Sequence, residues 1–189
     1  ANNEVNRKIA ELQNYKKEID NLKNDKTAAE RNELETKLAK LRDDLELLEE
    51  KFNTMTISWG GLGTIWNKPV VTVYVRPNRY TYEFMENNEY FTISFYDKEY
   101  KGDLGILGSK SGRNLDKILL TKLTPEFLKN TTSFKEAKLT IICKKIYFQD
   151  MEVNNIDVDS ITQSELDRFY KTEPMHRMYI GEVIDIIDK

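Results

Sequence analysis

Three short segments carry the residue types that could bind a charged, planar molecule. They are TMTISWGG at 54–61, VRPNRYTYEF at 75–84 and GSKSGRNLDK at 108–117, and each joins small or hydroxyl residues to a basic residue or an aromatic ring. Hydroxyls and backbone amides donate hydrogen bonds to the polar edge of a ligand, and arginine or lysine attracts phosphate or another anion. Taken together, the segments favour an anionic, aromatic ligand.

The GSKSGR segment alone has two interpretations. Its glycines allow tight turns, Ser109 and Ser111 can donate hydrogen bonds, and Lys117 follows nearby, which suits a phosphate. It lacks the spacing of a Walker loop. The alternative is an exposed basic loop with no ligand.

The other polar candidates also have two interpretations. Arg76, Arg79 and Thr81 follow a predicted strand, where Arg79 and Thr81 could hold a phosphate. Alternatively, Arg79 forms a surface ion pair and Thr81 caps a helix. Trp59 and Trp66 could wall a planar ring, but core packing explains most tryptophans. We expect Trp66 in the core and leave the role of Trp59 open.

Side chains suited to catalysis without a cofactor are few. Cys143 lies in the apolar run LTIICKK and is expected to be a buried small hydrophobe rather than a nucleophile. His176 is the only histidine, which excludes a site with two His ligands from one chain, and no G-x-S-x-G motif accompanies it. A hydrolase using Cys143 or His176 is thus the weakest hypothesis. A cofactor that brings its own chemistry explains the sequence better.

Composition limits the class of protein. The 189 residues carry a formal net charge of -3, which argues against a general nucleic-acid binder. A single cysteine excludes an internal disulfide, and no apolar run approaches the roughly 20 residues of a membrane span. No signal peptide is visible, so we expect a cytoplasmic protein, although a chain that opens at Ala1 is compatible with a removed leader.

The elements that must position these residues are predicted to be mainly strands. Alternating, β-branched and aromatic runs predict strands at 54–59, 70–75, 90–96, 138–148 and 178–187. Shorter helices are predicted at 81–88, 124–130 and 159–170. This order predicts a mainly β domain over residues 51–189, a β-barrel with short helices.

Residues 1–50 have a different character, with no Gly, no Pro and a single aromatic residue. Leucines recur at spacings of four and three from Leu34 to Leu48, which predicts helix. Thr27 and Glu30 form a capping-box pattern that would start a second helix, so we favour a helical hairpin, with one long helix containing a stutter as the alternative. The pair would serve as a dimerisation or docking arm, or would cover an open side of the barrel.

Six motifs, in order, resemble the flavin reductase-like proteins, including the flavoredoxins: KFNTMTISWGGLGTIWNKPV, TVYVRPNRYTYEF, EYFTISFYDKEY, LGILGSKSGRNLDK, EAKLTIICKKIYFQDM and HRMYIGEV. The resemblance covers residues 51 to about 187. It implies an FMN-binding split β-barrel that forms a homodimer, binds FMN near the subunit interface and carries out redox chemistry on the isoalloxazine ring.

The resemblance also implies which residues contact the cofactor. These are Asn53, Met55, Thr56, Ser58, Trp59, Val75, Arg76, Arg79, Tyr80, Thr81, Ser94, Phe95, Ser109, Ser111, Gly112 and Lys117. His176 matches a histidine common before RMYIGE and is expected to border the substrate side, which makes it the one candidate for a catalytic role.

The sequence departs from its relatives in two places. They usually have a strand with a sequence like WMLVTAG just before KFNTMT, whereas LRDDLELLEEKFN reads as helix here and would leave an unpaired sheet edge. Asn114 also stands where many relatives have Asp.

The resemblance leads to one main functional hypothesis. It is an FMN-dependent oxidoreductase, either a flavin reductase using NAD(P)H or a flavoredoxin-like electron carrier with a redox partner protein. The alternative is a non-catalytic split-barrel binding or assembly protein that uses the N-terminal helices to engage a partner.

Overall fold

The computed structural model describes residues 2–21, 32–33, 35–40, 51–157 and 159–189. The chain separates into two compact units, Ala1–Phe52 and Asn53–Lys189. In the first unit, α1 spans Asn2–Asn21, and residues 32–33 and 35–40 are also helical. This helical character was predicted from the residue spacing. The predicted turn at 24–30 lies outside the described residues, so the hairpin stays a prediction.

The second unit is built on a five-stranded antiparallel sheet of order β1-β2-β7-β6-β3. Its strands are β1 (Gly60–Ile65), β2 (Lys68–Val75), β3 (Tyr90–Phe95), β6 (Leu139–Asp150) and β7 (Arg177–Asp188). A separate two-stranded sheet pairs β4 (Pro125–Phe127) with β5 (Thr132–Phe134). The helices of this unit are α2 (Tyr80–Asn87), α3 (Lys101–Ser109) and α4 (Gln163–Tyr170). Short 3-10 turns cover Lys98–Tyr100, Ile118–Leu120 and Val153–Asn155.

The core of this unit lies on one face of the sheet. Alternate residues of β2 point to it, and they pack with buried side chains of α2, β3, β6 and β7: Val71, Val73, Val75, Met85, Phe91, Ile141, Cys143 and Tyr179. Gly181 of β7 pairs with Val71, and a Cβ added there would lie 2.5 Å from Cζ of Phe91. The glycine therefore lets the Phe91 ring lie directly on the strand.

The hairpin between β1 and β2 turns at Trp66 and Asn67. Both have positive φ angles, 51° and 56°, as a two-residue hairpin turn of type I′ requires. Trp66 is 59% exposed at the tip of this hairpin. The prediction that Trp66 packs in the core is therefore wrong, because the turn carries its indole beyond the edge of the core.

Most of the predicted elements are confirmed. The strands predicted at 70–75, 90–96, 138–148 and 178–187 coincide with β2, β3, β6 and β7 to within two residues at each end. The helices predicted at 81–88 and 159–170 are present as α2 and α4. At the start of α4, Thr162 and Glu165 form a capping box, which stops the helix from extending back to residue 159.

Two predicted elements are wrong. Residues 54–58 belong to no helix or strand, because Asn53 and Thr56 bond to α2 and α3 instead of the segment pairing in the sheet. The helix predicted at 124–130 is replaced by β4, where Pro125 pairs with Phe134. Glu136 accepts hydrogen bonds from the Thr124 amide and hydroxyl at 2.7 and 2.6 Å, which holds this segment against β5. Long-range pairing here overrides local propensity.

None of the helices in the described part of the chain is long and apolar enough to cross a membrane.

Candidate functional site

The three candidate segments meet in the second unit, and Asn53, the residue directly before the first of them, lies at their junction. Its Nδ2 donates to Oγ1 of Thr81 on α2 at 2.8 Å. Its Oδ1 lies so close to Gly112 that a Cβ added there would be 2.6 Å away. The side chain of Asn53 thus joins the first segment to the start of α2 on one side and to the GSKSGR loop on the other.

Thr56 makes a second connection between the same segments. Its Oγ1 donates to the carbonyl of Leu104 in α3 at 2.5 Å. A Cβ added to Gly108 would lie 3.1 Å from the same Thr56 Oγ1. Met55 points elsewhere, since it packs against the hydrophobic core. Residues 53–56 therefore connect the hydrophobic core, through Met55, to α2 and α3, through Asn53 and Thr56. Glycines at 108 and 112 leave room for these residues.

Val75 is the last residue of β2 and is only 3% exposed, as a member of the core. Contact between Val75 and a ligand would thus use its backbone. The next residues turn into α2, whose N-cap position is Arg79. The alternative interpretation of Thr81 as the helix cap is wrong, because α2 begins one residue earlier, at Tyr80, and the Thr81 hydroxyl accepts from Asn53 instead.

The arginines of the second segment surround one carboxylate. Glu173 Oε2 lies 3.1 Å from Nη1 of Arg76 and 3.5 Å from Nη2 of Arg79, and it accepts from Nδ2 of Asn78 at 2.7 Å. The hydrogen bond from Asn78, followed by the contacts with the arginines, lowers the pKa of Glu173 below its usual range. The alternative interpretation of Arg79 as an ion-pair residue matches this arrangement.

His176 lies beside the same arginines with both ring nitrogens in contact with a partner. Nε2 accepts from Nε of Arg76 at 3.2 Å, so the proton of the neutral ring sits on Nδ1, which donates to the Tyr170 hydroxyl at 3.0 Å. Burial, together with the charges of Arg76 and Arg79, lowers the pKa of His176 to about 4. His176 is therefore neutral at pH 7 and is unsuited to donating a proton as imidazolium.

Trp59 completes an aromatic cluster over His176. Its ring lies 4.7 Å from that of His176 and 5.2 Å, edge to face, from that of Phe169, measured between centroids. The Trp59 side chain is 36% exposed. An indole held in place on one side and open on the other can serve as a wall for a planar ring.

The GSKSGR loop is held by its own side chains and by α2. The amide of Arg113 donates to the Ser111 hydroxyl at 3.2 Å, and the Ser109 hydroxyl donates to the Ile106 carbonyl at 3.4 Å. The Arg113 guanidinium pairs with Glu83 at 2.6 Å and lies 4.9 Å from the centroid of the Tyr80 ring. Tyr80 and Arg113 thus lie together at the edge of the junction.

Lys117 supports this loop from inside. It is 4% exposed, and its ammonium donates to the carbonyls of Leu107 and Lys110 at 3.0 and 3.3 Å. These carbonyls lie at the C-terminal end of α3, where a cation is favoured by the helix dipole. Burial lowers the pKa of Lys117. Its observed contacts stabilise the loop, and its contact with a cofactor stays a prediction.

The remaining predicted residues differ in their surroundings. The Ser94 hydroxyl lies 3.4 Å from that of Thr140, within the sheet, and the neighbouring Phe95 is 45% exposed. Ser58 is exposed next to Trp59. The structure therefore brings together Asn53, Thr56, Thr81 and Gly112, and separately Trp59, Arg76, Arg79 and His176, while the Ser94 hydroxyl lies beside that of Thr140 in the sheet.

Sequence reasoning missed four residues of this site. Asn78 lies between the two predicted arginines, and its position in RPNRYT could have revealed it. Glu173, Tyr170 and Phe169 come from α4 and the segment after it, and no spacing in the sequence relates them to Arg76.

A cluster of metal ligands and a reactive thiol are two other features that a catalytic site can use. Within the described ranges, no group of three or more His, Cys, Asp or Glu side chains could hold a metal ion. Cys143 is fully buried, and burial raises the pKa of its thiol to about 12, which confirms it as a small core residue.

Comparison with solved structures identifies the fold. The chain resembles the flavoredoxin of Desulfovibrio vulgaris (24% identity, TM-score 0.55, covering 72% of this chain and 62% of that one). It also resembles an FMN-binding protein from Thermus thermophilus (17%, 0.55, 72% and 64%). A third similar structure is a protein with a split barrel domain from Shewanella frigidimarina (19%, 0.56, 72% and 60%). The mainly β, split-barrel fold is thus confirmed.

The similarity covers only part of the length of these structures. The chain spans 60 to 64% of the length of the three structures. A comparison with curated proteins gave no match. A model of the family described as flavin reductase like domain matches residues 46–188, about three quarters of the chain. The chain therefore belongs to the flavin reductase-like domain family.

Proposed function

We propose that this chain binds FMN and acts as a flavin-dependent oxidoreductase. The observation that carries the proposal is the junction of the three candidate segments at Asn53, which contacts Thr81 and Gly112. The sequence predicted these segments to bind one anionic, aromatic ligand, and their meeting at one place is what such a site requires.

The residue types of the three segments and of the separate arginine and Trp59 cluster fit FMN. Arg76 and Arg79 can neutralise a phosphate, and exposed hydroxyls at Ser58, Ser109 and Ser111 can bond to a polar chain. The amides of residues 53–58 are outside the ladders of the sheet and can approach the polar edge of a ring. Trp59 supplies an apolar wall beside them.

The residues of the site would bind and orient the cofactor. A bound flavin supplies the redox chemistry, because its ring accepts and releases electrons. Arg76 is fixed by His176 and Glu173, so its guanidinium already points toward the position proposed for an anion. Neutral His176 orients Arg76 and supports Trp59, which keeps the aromatic wall in place without adding a charge. We propose this positioning role for His176 in place of proton transfer.

The family of the chain and the properties of similar proteins support the proposal. One similar protein, from Thermus thermophilus, is described as FMN-binding, and another, from Desulfovibrio vulgaris, as a flavoredoxin. We extend the proposal to NAD(P)H as electron donor. An electron carrier that exchanges with a redox partner protein is the second form that the same site can take.

The donor can be tested by anaerobic mixing of the FMN-loaded protein with NADH or NADPH in a stopped-flow instrument. Rapid loss of the visible flavin absorbance with either nucleotide is expected for a reductase. If neither reduces bound FMN while dithionite does, the reductase form is rejected, and the carrier form remains.

We also propose that the chain forms a homodimer. Apolar side chains remain exposed on the strands of the large sheet, namely Leu62 (67%), Ile184 (50%) and Ile186 (55%). Covering such residues favours association with a second copy. Sedimentation velocity at micromolar concentration should show a dimer, and a monomer at all concentrations would reject this proposal.

A binding or assembly protein without catalysis is the second candidate function. The observation that favours it is that residues 54–58 form no strand, so the described part of the sheet lacks a partner strand from this segment. A folded protein that binds no FMN, yet captures a partner protein, would support this alternative over the oxidoreductase.

A further inference from the structure

The arginine pair proposed to bind phosphate already holds an anionic group of the chain itself. The carboxylate of Glu173 contacts Arg76 at 3.1 Å, Arg79 at 3.5 Å and Asn78 at 2.7 Å. Two guanidiniums and an amide that converge on one oxygen meet the same demands that a phosphate oxygen makes. Glu173 therefore occupies the contacts that a phosphate would need.

The direction of Arg76 is fixed, which restricts where an anion can approach. Its side chain is 12% exposed, its Nε donates to His176, and its guanidinium carbon lies 5.4 Å from the centroid of the Tyr170 ring. Nη1 faces Glu173. A phosphate that binds between Nη1 of Arg76 and Nη2 of Arg79 must consequently take the place of the carboxylate on those two atoms.

Glu173 lies on a segment that can release it without disturbing the sheet. Residues 171–176 belong to no helix or strand, and they connect α4 to β7. The hydrogen bond between Tyr170 and His176 joins the two ends of this connection at 3.0 Å. The Glu173 side chain between these ends is 35% exposed, so it can turn toward solvent while the ends stay in place.

We propose that Glu173 is an internal competitor for the phosphate of FMN and sets the preference of the site between phosphorylated and unphosphorylated flavin. The proposal rests on the proposed flavin function. Binding of FMN must displace the carboxylate, whereas riboflavin, which has the same ring and no phosphate, leaves it on the arginines. The native chain therefore prefers FMN over riboflavin less strongly than it would if Glu173 did not contact the arginines.

The test compares Glu173→Gln with the native chain and with a matched control, Glu182→Gln. Glutamine keeps the shape of Glu173 and an acceptor for Asn78 but removes the charge. Glu182 on β7 pairs with Lys68 on β2 at 2.6 Å, so its variant also removes a carboxylate that forms an ion pair, although one ion pair instead of two, and leaves the arginine pair untouched. FMN and riboflavin are each titrated, with quenching of flavin fluorescence as the signal.

In Glu173→Gln we expect FMN to bind about fivefold more tightly, as loss of a competing ion pair of modest strength predicts, while riboflavin affinity changes by less than about twofold. Glu182→Gln should resemble the native chain with both flavins. An unchanged or weakened FMN affinity in Glu173→Gln, or an equal gain for riboflavin, would overturn the proposal.

A second readout separates this proposal from the flavin function. Thermal unfolding is measured in sodium phosphate and in sodium chloride of equal ionic strength. Phosphate should raise the Tm of Glu173→Gln more than that of the native chain or Glu182→Gln, because a ligand of the folded state stabilises it. If neither flavin binds any of the three proteins but this selective stabilisation is seen, the flavin function and the role in flavin preference fail, and only competition between Glu173 and inorganic phosphate at the arginine pair is supported. Equal stabilisation of all three proteins rejects the competitor role.

Discussion

Replacing Gly112 with alanine should damage the candidate site without harming the backbone. The φ angle of Gly112 lies outside the left-handed region, so alanine causes no backbone strain there. Its Cβ, however, would lie 2.6 Å from Oδ1 of Asn53, which is closer than atoms in contact can approach. The Asn53 side chain must therefore rotate, and its 2.8 Å hydrogen bond to Thr81 is lost.

The size of this effect follows from the contact that breaks. A partly buried hydrogen bond contributes about 1 kcal/mol, so the free energy of unfolding should fall by about that amount. If the same junction binds FMN, the affinity should also fall, by about fivefold or more. Urea unfolding measures the first quantity, and FMN titration measures the second.

Two further variants test whether the contact between Gly112 and Asn53 causes this loss of stability. Gly105→Ala, in α3, places its Cβ in open space and should be neutral or slightly stabilising, as expected of a helix position. Asn53→Ala removes both the clash and the hydrogen bond, so adding Gly112→Ala to it should cost almost nothing. If Gly112→Ala costs the same with and without Asn53, the contact between these residues is not the cause.

Three other predictions concern the core and the titrating groups. Gly181→Ala should lower the free energy of unfolding by about 1–3 kcal/mol, since its Cβ would lie 2.5 Å from Phe91 in a packed core. The midpoint of urea unfolding measures this loss, and an unchanged midpoint would contradict it. Native Cys143 should resist iodoacetamide and react only in urea, because its thiol is buried with a pKa of about 12; rapid native labelling would refute its burial. The folded pKa of His176, about 4, lies below its usual 6.5, so the unfolded chain binds the extra proton between these pH values. The contribution of His176 to the free energy of unfolding should be fully present above pH 6.5 and should fall by about 1–2 kcal/mol toward pH 4, after a discount for partial exposure. The variant His176→Gln should show a smaller dependence of this free energy on pH. An equal dependence in the variant would show that another group titrates.

Local pattern was sufficient for the strands of the large sheet. β2 alternates Val71, Val73 and Val75 toward the core, and this period of two is visible in the sequence. The same reasoning failed at residues 124–130, where PEF forms a strand because it pairs with Thr132–Phe134. A pairing of this kind depends on tertiary contacts that a local window does not contain.

The site was predictable in part for a similar reason. The candidate segments each carried hydroxyls, glycines or arginines in short spacing, and the contacts of Asn53 and Thr56 bring them together. Glu173 was not predictable, because nearly a hundred residues separate it from Arg76 and one glutamate in a polar loop has no distinctive pattern. The position of Trp66 was missed because its left-handed backbone is unusual for a bulky side chain.

The most direct test of the proposed cofactor is an absorbance titration of FMN with the purified chain. Binding at the junction of the three segments predicts a saturable shift of the visible flavin bands, with one FMN per chain at saturation, and a weaker shift with Gly112→Ala. Flavin bands that stay those of free FMN at every concentration of folded protein would contradict the proposed cofactor, and with it the proposed function.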